Sequence, residues 1–129
     1  MSQRGYSLVE VLAALLILTL IILTSLAVFV ERNKRMRQAA EYVLAYQALA
    51  NEAEYQRRIP YGNLMPAVAF ASTAEYDILE GLGPHATRIT VTQTQPGVKN
   101  VTITIYWRGN ERTAQLELVR VDTGGTNLW

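Results

Sequence analysis

The stretch Leu8-Val9-Glu10-Val11-Leu12-Ala13-Ala14-Leu15-Leu16-Ile17-Leu18-Thr19-Leu20-Ile21-Ile22-Leu23-Thr24-Ser25-Leu26-Ala27-Val28-Phe29-Val30 decides how the rest of the chain is read. Its 23 residues hold one charge, Glu10, and three other polar side chains, Thr19, Thr24 and Ser25. As a helix rising about 1.5 Å per residue it reaches roughly 34 Å, enough to cross a hydrocarbon core of about 30 Å. The three hydroxyls can bond to carbonyls one turn back, and Ala13, Ala14 and Ala27 permit close approach of a neighbouring helix. Glu10 is the anomaly. A carboxylate in a lipid-facing helix costs up to about 2.5–3.5 kcal/mol at mid-membrane and less near the helix end. A cut between Gly5 and Tyr6 would create an α-amino group four residues before Glu10. With a pKa of about 7.7–8.0 that amine is largely protonated at neutral pH. On one subunit it could neutralise Glu10 of a neighbour inside a dry bundle and so fix the stagger between subunits.

These residues resemble the N-terminus of the type IV pilin and pseudopilin superfamily. The resemblance rests on the short basic leader Met1-Ser2-Gln3-Arg4, then Gly5, an aromatic residue, a few mostly apolar residues and Glu10. It implies that a prepilin peptidase cuts after Gly5 and methylates the new N-terminus at Tyr6, which stands in for the more usual phenylalanine. Arg4 then supplies the leader charge, and Glu10 takes the place of the family's glutamate at the fifth mature position, the assembly residue. The run Leu8 to Leu15 is most similar to minor pilins and the minor pseudopilin I of type II secretion. Ala27 stands where many major pilins carry a helix-kinking proline, which also leans towards a minor subunit. The resemblance further implies a structural subunit, not an enzyme, that crosses the inner membrane once. Its leader is expected in the cytoplasm and its head in the periplasm or outside the cell, with other pilins or pseudopilins as partners in a filament.

Two other readings use the same residues. As a secretory signal, Arg4 is the basic region, Val11 to Thr24 the apolar region and Ser25-Leu26-Ala27 a small-x-small cleavage site, which releases a soluble domain near Val28. As an uncleaved anchor, the helix only tethers a binding or adaptor domain. Both leave Glu10 without a purpose. The flanks bear on orientation: Arg32, Lys34, Arg35 and Arg37, with Glu31, follow the apolar run, against Arg4 before it. The positive-inside rule would place that basic flank in the cytoplasm. The leader motif requires the opposite, and we side with the motif.

The chain has 129 residues, which supports one domain; about a hundred remain for a head once the first thirty are set aside. Without Arg4, eleven basic residues face eleven acidic ones, and no nucleic-acid partner is expected from that balance. There are no cysteines, so neither disulfides nor thiolate metal sites can form.

The expected division is a leader at 1–5, the membrane or filament-core half of the helix at 6–30 and a head at 31–129. Glu31 to Arg58 continues the helix, since no Gly or Pro interrupts before Pro60. Met36, Ala40, Val43, Ala50 and Ala53, broadened by Tyr42, Leu44, Tyr46 and Leu49, suggest its packed face. Arg37 with Glu41, and Gln38 with Tyr42, suggest a solvated one. A loop is expected over 59–86, with 67–82 open between a short helix, a strand near Tyr76 to Leu79, and coil. Period-two alternation then predicts a meander at 87–121, with Ile89 and Val91, Val101, Ile103 and Ile105, and Leu116 and Leu118 on the apolar face. The tail 122–129 reads as polar, with Trp129 either folded back or free as an anchor. The fold class is α+β: a long N-terminal helix laid on an antiparallel sheet of three to four strands.

Constellations for catalysis are missing from the sequence. His85, beside Pro84, reads as a lone surface residue in a turn. Glu52 and Glu54 read as solvation, and Asp77 with Glu80 lacks a second acid pair. Gly124-Gly125-Thr126 lacks the lysine of a phosphate loop, and Asp122 with Asn127 is too sparse for calcium. No cofactor or metal is expected.

Overall fold

In a computed structural model, residues 7–72 and 76–124 are described. The architecture is α+β. Helix α1 (Leu8–Arg58) is followed by a 3-10 turn at Tyr61–Asn63, a short helix α2 (Tyr76–Glu80) and strands β1 (His85–Gln95), β2 (Val98–Trp107) and β3 (Arg112–Val121). The chain divides into two units, Met1–Ala39 and Ala40–Trp129, with α1 running through both.

Among the described residues of the first unit, the chain is helical from Leu8, and from Ser7 to Arg37 every side chain is exposed. The expected hydroxyl bonds form at two of three positions. Thr19 Oγ1 donates to the Leu15 carbonyl at 2.8 Å, and Thr24 Oγ1 reaches the Leu20 and Ile21 carbonyls, each at 3.0 Å. These internal bonds satisfy the two threonine hydroxyls without a partner chain.

In the second unit the three strands pair in sequence order, antiparallel throughout. The β1–β2 hairpin turns at Pro96-Gly97. Proline presets φ for the first turn position, and Gly97 takes φ of +78°, which the second position of a type II turn requires. A register shift between Gln93 and Gln95 absorbs the odd residue as a bulge. The β2–β3 connection places Arg108, Gly109 and Asn110 all at positive φ, 52°, 65° and 70°.

Alternation along β2 sends Val101, Ile103, Ile105 and Trp107 to the inner face, where all are buried. Ile89, Ala114 and Leu118 flank them, and Ala45, Ala48, Leu49 and Ala53 of α1 close the layer. Leu64, Phe70, Leu79 and Leu82 from the connecting segment seal the edge. Of the open possibilities for 67–82, the short helix α2 forms, and Ala67 makes a two-bond bridge with Ile89 on the outer edge of β1 (3.0 and 2.7 Å).

Several expectations need correction. The packed face of α1 is Leu44, Ala45, Ala48, Leu49, Glu52, Ala53 and Gln56, whereas Met36, Ala40, Val43, Tyr46 and Ala50 are exposed. Glu52 does not face solvent; it is fully buried. Glu41 does not belong to a solvated face either, because its carboxylate is engaged by the sheet. His85 is not in the turn but opens β1, opposite Trp107, since the ladder runs on two residues past the expected start. Trp129 and Asn127 lie outside the described residues.

Candidate functional site

Two regions carry side chains that need explaining: the exposed apolar helix with Glu10, and the polar contacts that tie α1 to the sheet.

Glu10 sits in the first turn of α1. A carboxylate there is favoured by the partial positive charge of the helix N-terminus. Its own N–H donates to the Ser7 carbonyl at 2.9 Å, and Val11 N–H shares that acceptor at 3.2 Å, so the helix is established before the carboxylate is reached. Glu10 shares a shallow surface groove with Val11, Ala14, Leu15 and Leu18. Among the described residues no side chain pairs with it. Among the described residues, the charge stands on an apolar surface and is favoured by its position in the first turn. Beyond it, Leu12, Leu15, Leu16, Ile22, Leu26 and Val28 are each at least half exposed. Within the described residues one helix is long and apolar enough to cross a membrane, with a mean hydropathy of 2.9 over its most apolar 18 residues. Arg4, Gly5 and Tyr6 lie outside the described residues.

At the other region, the sheet reaches for α1 with polar groups at both ends of its inner face. Glu41 is the first anchor: it accepts from the Trp107 indole Nε1 at 3.0 Å, from Arg108 Nε at 3.2 Å and from Arg112. Hydrogen bonding from Arg108 holds the Glu41 carboxyl below its ordinary value of 4.5, against the opposing effect of burial, with Trp107 and Arg112 adding to the depression. The same contact raises Arg108. Tyr42 packs edge-on to Trp107 with ring centroids 5.1 Å apart, close to the favoured T-shape. Because Glu41 pins Arg108, the left-handed backbone at that non-glycine residue is held by a specific contact.

Arg120 is the second anchor. Its guanidinium donates to the carbonyls of Gln56 (2.9 Å), Arg57 and Ile59 (3.0 Å). Carbonyls at a helix C-terminus lack intrahelical donors, and a cation there also complements the helix dipole. Between the anchors lies Glu52, which accepts from Gln56 Nε2 at 2.6 Å and from Ser72 N–H at 3.2 Å. It thus fastens the segment after Phe70 to the helix. Lys99 does similar service for the 3-10 turn, donating to the Tyr61 carbonyl at 3.0 Å and lying 4.5 Å from the ring centroid. Sequence reading missed these roles. The only available signal was Arg112 and Arg120 in phase with Leu118 on the apolar side of β3, polar residues in apolar register.

None of these groups forms a nucleophile with a base or an acid pair around a cleft. Glu41 and Glu52 are each consumed by internal bonds, so the arrangement holds a head together. In the head, the Tyr61 hydroxyl and Ser72 Oγ are buried without a hydrogen-bond partner; on the N-terminal helix the unpaired group is Glu10, among the described residues. Comparison with known proteins points the same way. Residues 1–26 match the prokaryotic N-terminal methylation motif. No curated protein and no solved structure matches the chain. The match ends inside the exposed part of α1, and by that segment the chain carries the class III signal peptide characteristic of type IV pilins and pseudopilins.

Proposed function

We propose that this chain is a structural subunit of a type IV filament system, a minor pilin or minor pseudopilin, which supports pilus assembly or type II secretion. The observation that carries the reading is the methylation motif leading into an exposed apolar helix whose one charge has no partner among the described residues. Prepilin peptidase cuts after Gly5 and methylates Tyr6. The helix holds the subunit in the cytoplasmic membrane, leader inside and head outside. On extraction it exchanges lipid for the helices of neighbouring subunits, a change between two apolar surroundings.

Glu10 is the residue that makes this exchange specific. In lipid it is costly; beside the protonated amine of a neighbour's Tyr6 it is neutralised, so the register that brings the two together is favoured over others. The α+β head, held by Glu41, Glu52 and Arg120, then presents a fixed surface outside the membrane. The test is Glu10→Val in the native system. The variant is expected to insert and to be cleaved like the wild type, yet to fall at least tenfold in sheared filaments. Normal incorporation would remove Glu10 from the mechanism.

A further inference from the structure

The cations just beyond the apolar run have no role in the account so far. Arg32, Lys34, Arg35 and Arg37 fall within six residues, with Glu31 as the one nearby acid. Arg35 is tied to Glu31 at 3.0 Å. Arg32, Lys34 and Arg37 are exposed and, among the described residues, have no ion pair or hydrogen bond. At about 100° per residue, Lys34 and Arg37 lie roughly 200° and 140° around the axis from Arg32. The charges therefore form a collar around the helix and not a stripe on one side. A stripe would suit a single protein neighbour; a collar suits a surrounding layer.

The surface beneath the collar agrees. Arg32 and Arg35 share a shallow groove with Ala27, Val28 and Glu31, so their charged ends border apolar side chains. That junction, a cation on a long alkyl stem just above hydrocarbon, is what a lipid headgroup layer accommodates. Charge distribution adds a third argument. From Ala40 to Trp129 there are seven basic and nine acidic residues, so the head is itself acidic and would be repelled by an anionic surface. A basic flank on the translocated side also runs against the usual charge bias of spanning helices, so its presence there calls for a use.

Resting on the membrane-spanning reading above, we propose that Arg32, Lys34 and Arg37 bind anionic phospholipid headgroups of the leaflet at the C-terminal end of the span. The collar sets the depth of the helix and holds the subunit until extraction. Each cation near an anionic surface favours association by about fivefold, and salt weakens it.

The test uses the full processed chain in phosphatidylcholine vesicles containing trace spin-labelled phosphatidylglycerol or phosphatidylcholine. The fraction of label immobilised at the protein is measured for wild type and for the combined variant R32Q/K34Q/R37Q. Vesicle flotation of the same samples reports insertion. The expected result is at least a fivefold preference for phosphatidylglycerol in the wild type, reduced by high salt and lost in the variant, with insertion equal in both. Equal immobilisation of the two labels by an inserted wild type would overturn the proposal alone. A preference that survives in the variant would do the same, by placing the lipid contact elsewhere. Loss of the variant from filaments without any lipid preference would also overturn it, in favour of acidic residues on a neighbouring subunit. Failure of the wild type to float would overturn the spanning reading, and this proposal with it.

Discussion

Two parts of one continuous helix face opposite demands. From Leu8 to Val30, α1 is apolar on every side and fully uncovered, with Val28 66% exposed and Leu8 78%. From Glu41 to Gln56 the same helix buries a face made of three alanines, Leu49 and, at 0% exposure, a glutamate. Apolar content is therefore not what separates packed from unpacked here. The first part is written for surroundings that are apolar everywhere, lipid or other helices, and needs no facing residue in its own chain. The second is written for one surface, the inner face of the sheet, and its polar residues are placed to meet groups that only that surface supplies.

The largest effect expected from this contrast comes from truncating an apolar side chain in each part. Leu49→Ala removes a fully buried side chain from the head and should destabilise it by about 2–5 kcal/mol. Leu18→Ala deletes the same atoms from the exposed part and should change head stability by less than about 0.5 kcal/mol. Denaturant titration of the full chain in detergent, followed by amide exchange of the strands, measures both. Similar losses in the two variants would mean that the parts are not independent.

Smaller changes are expected at the anchors. Glu41→Gln leaves Arg112 with a neutral partner and should destabilise the head by about 1–2 kcal/mol. The pH dependence has a definite sign. The folded value of Glu41 is lowered, so its contribution is complete above the ordinary value of 4.5 and is lost as pH falls through the lowered folded value. Wild type should therefore lose more stability than Glu41→Gln on acidification below about pH 4.5, and parallel pH profiles would contradict the clamp. Arg120→Met, which keeps the stem and removes the donors, should cost about 1 kcal/mol and show first as faster amide exchange in the last turn of α1. Unchanged exchange there would mean that solvent satisfies those carbonyls equally well.

How legible each part was follows from the same contrast. The exposed helix could be read outright, because its requirement is composition and length, and so could its continuation, because nothing breaks it before Pro60. The strands were legible from alternation: Ile89, Val101, Ile103, Ile105 and Leu118 are inward as expected. The packed face of the second half of α1 was not. Its periodicity is masked by Glu41, Glu52 and Gln56 on the inside and by Val43 and Tyr46 outside. The two glutamates are explained by partners far along the chain, Trp107, Arg108 and Arg112 for Glu41 and Ser72 for Glu52, and Gln56 by its bond to Glu52. Local pattern carries no information about such partners, whereas Glu10 could be singled out because its surroundings are uniform.

The central claim is that the N-terminal segment is a processed assembly helix. The measurement that tests it most directly is the intact mass and N-terminal sequence of the protein taken from its native membrane. The account predicts a chain that begins at Tyr6 and carries one added methyl group on its α-amine. A chain that still begins at Met1, or one that begins near Val28, would contradict it, since neither supplies the amine that Glu10 is placed to meet.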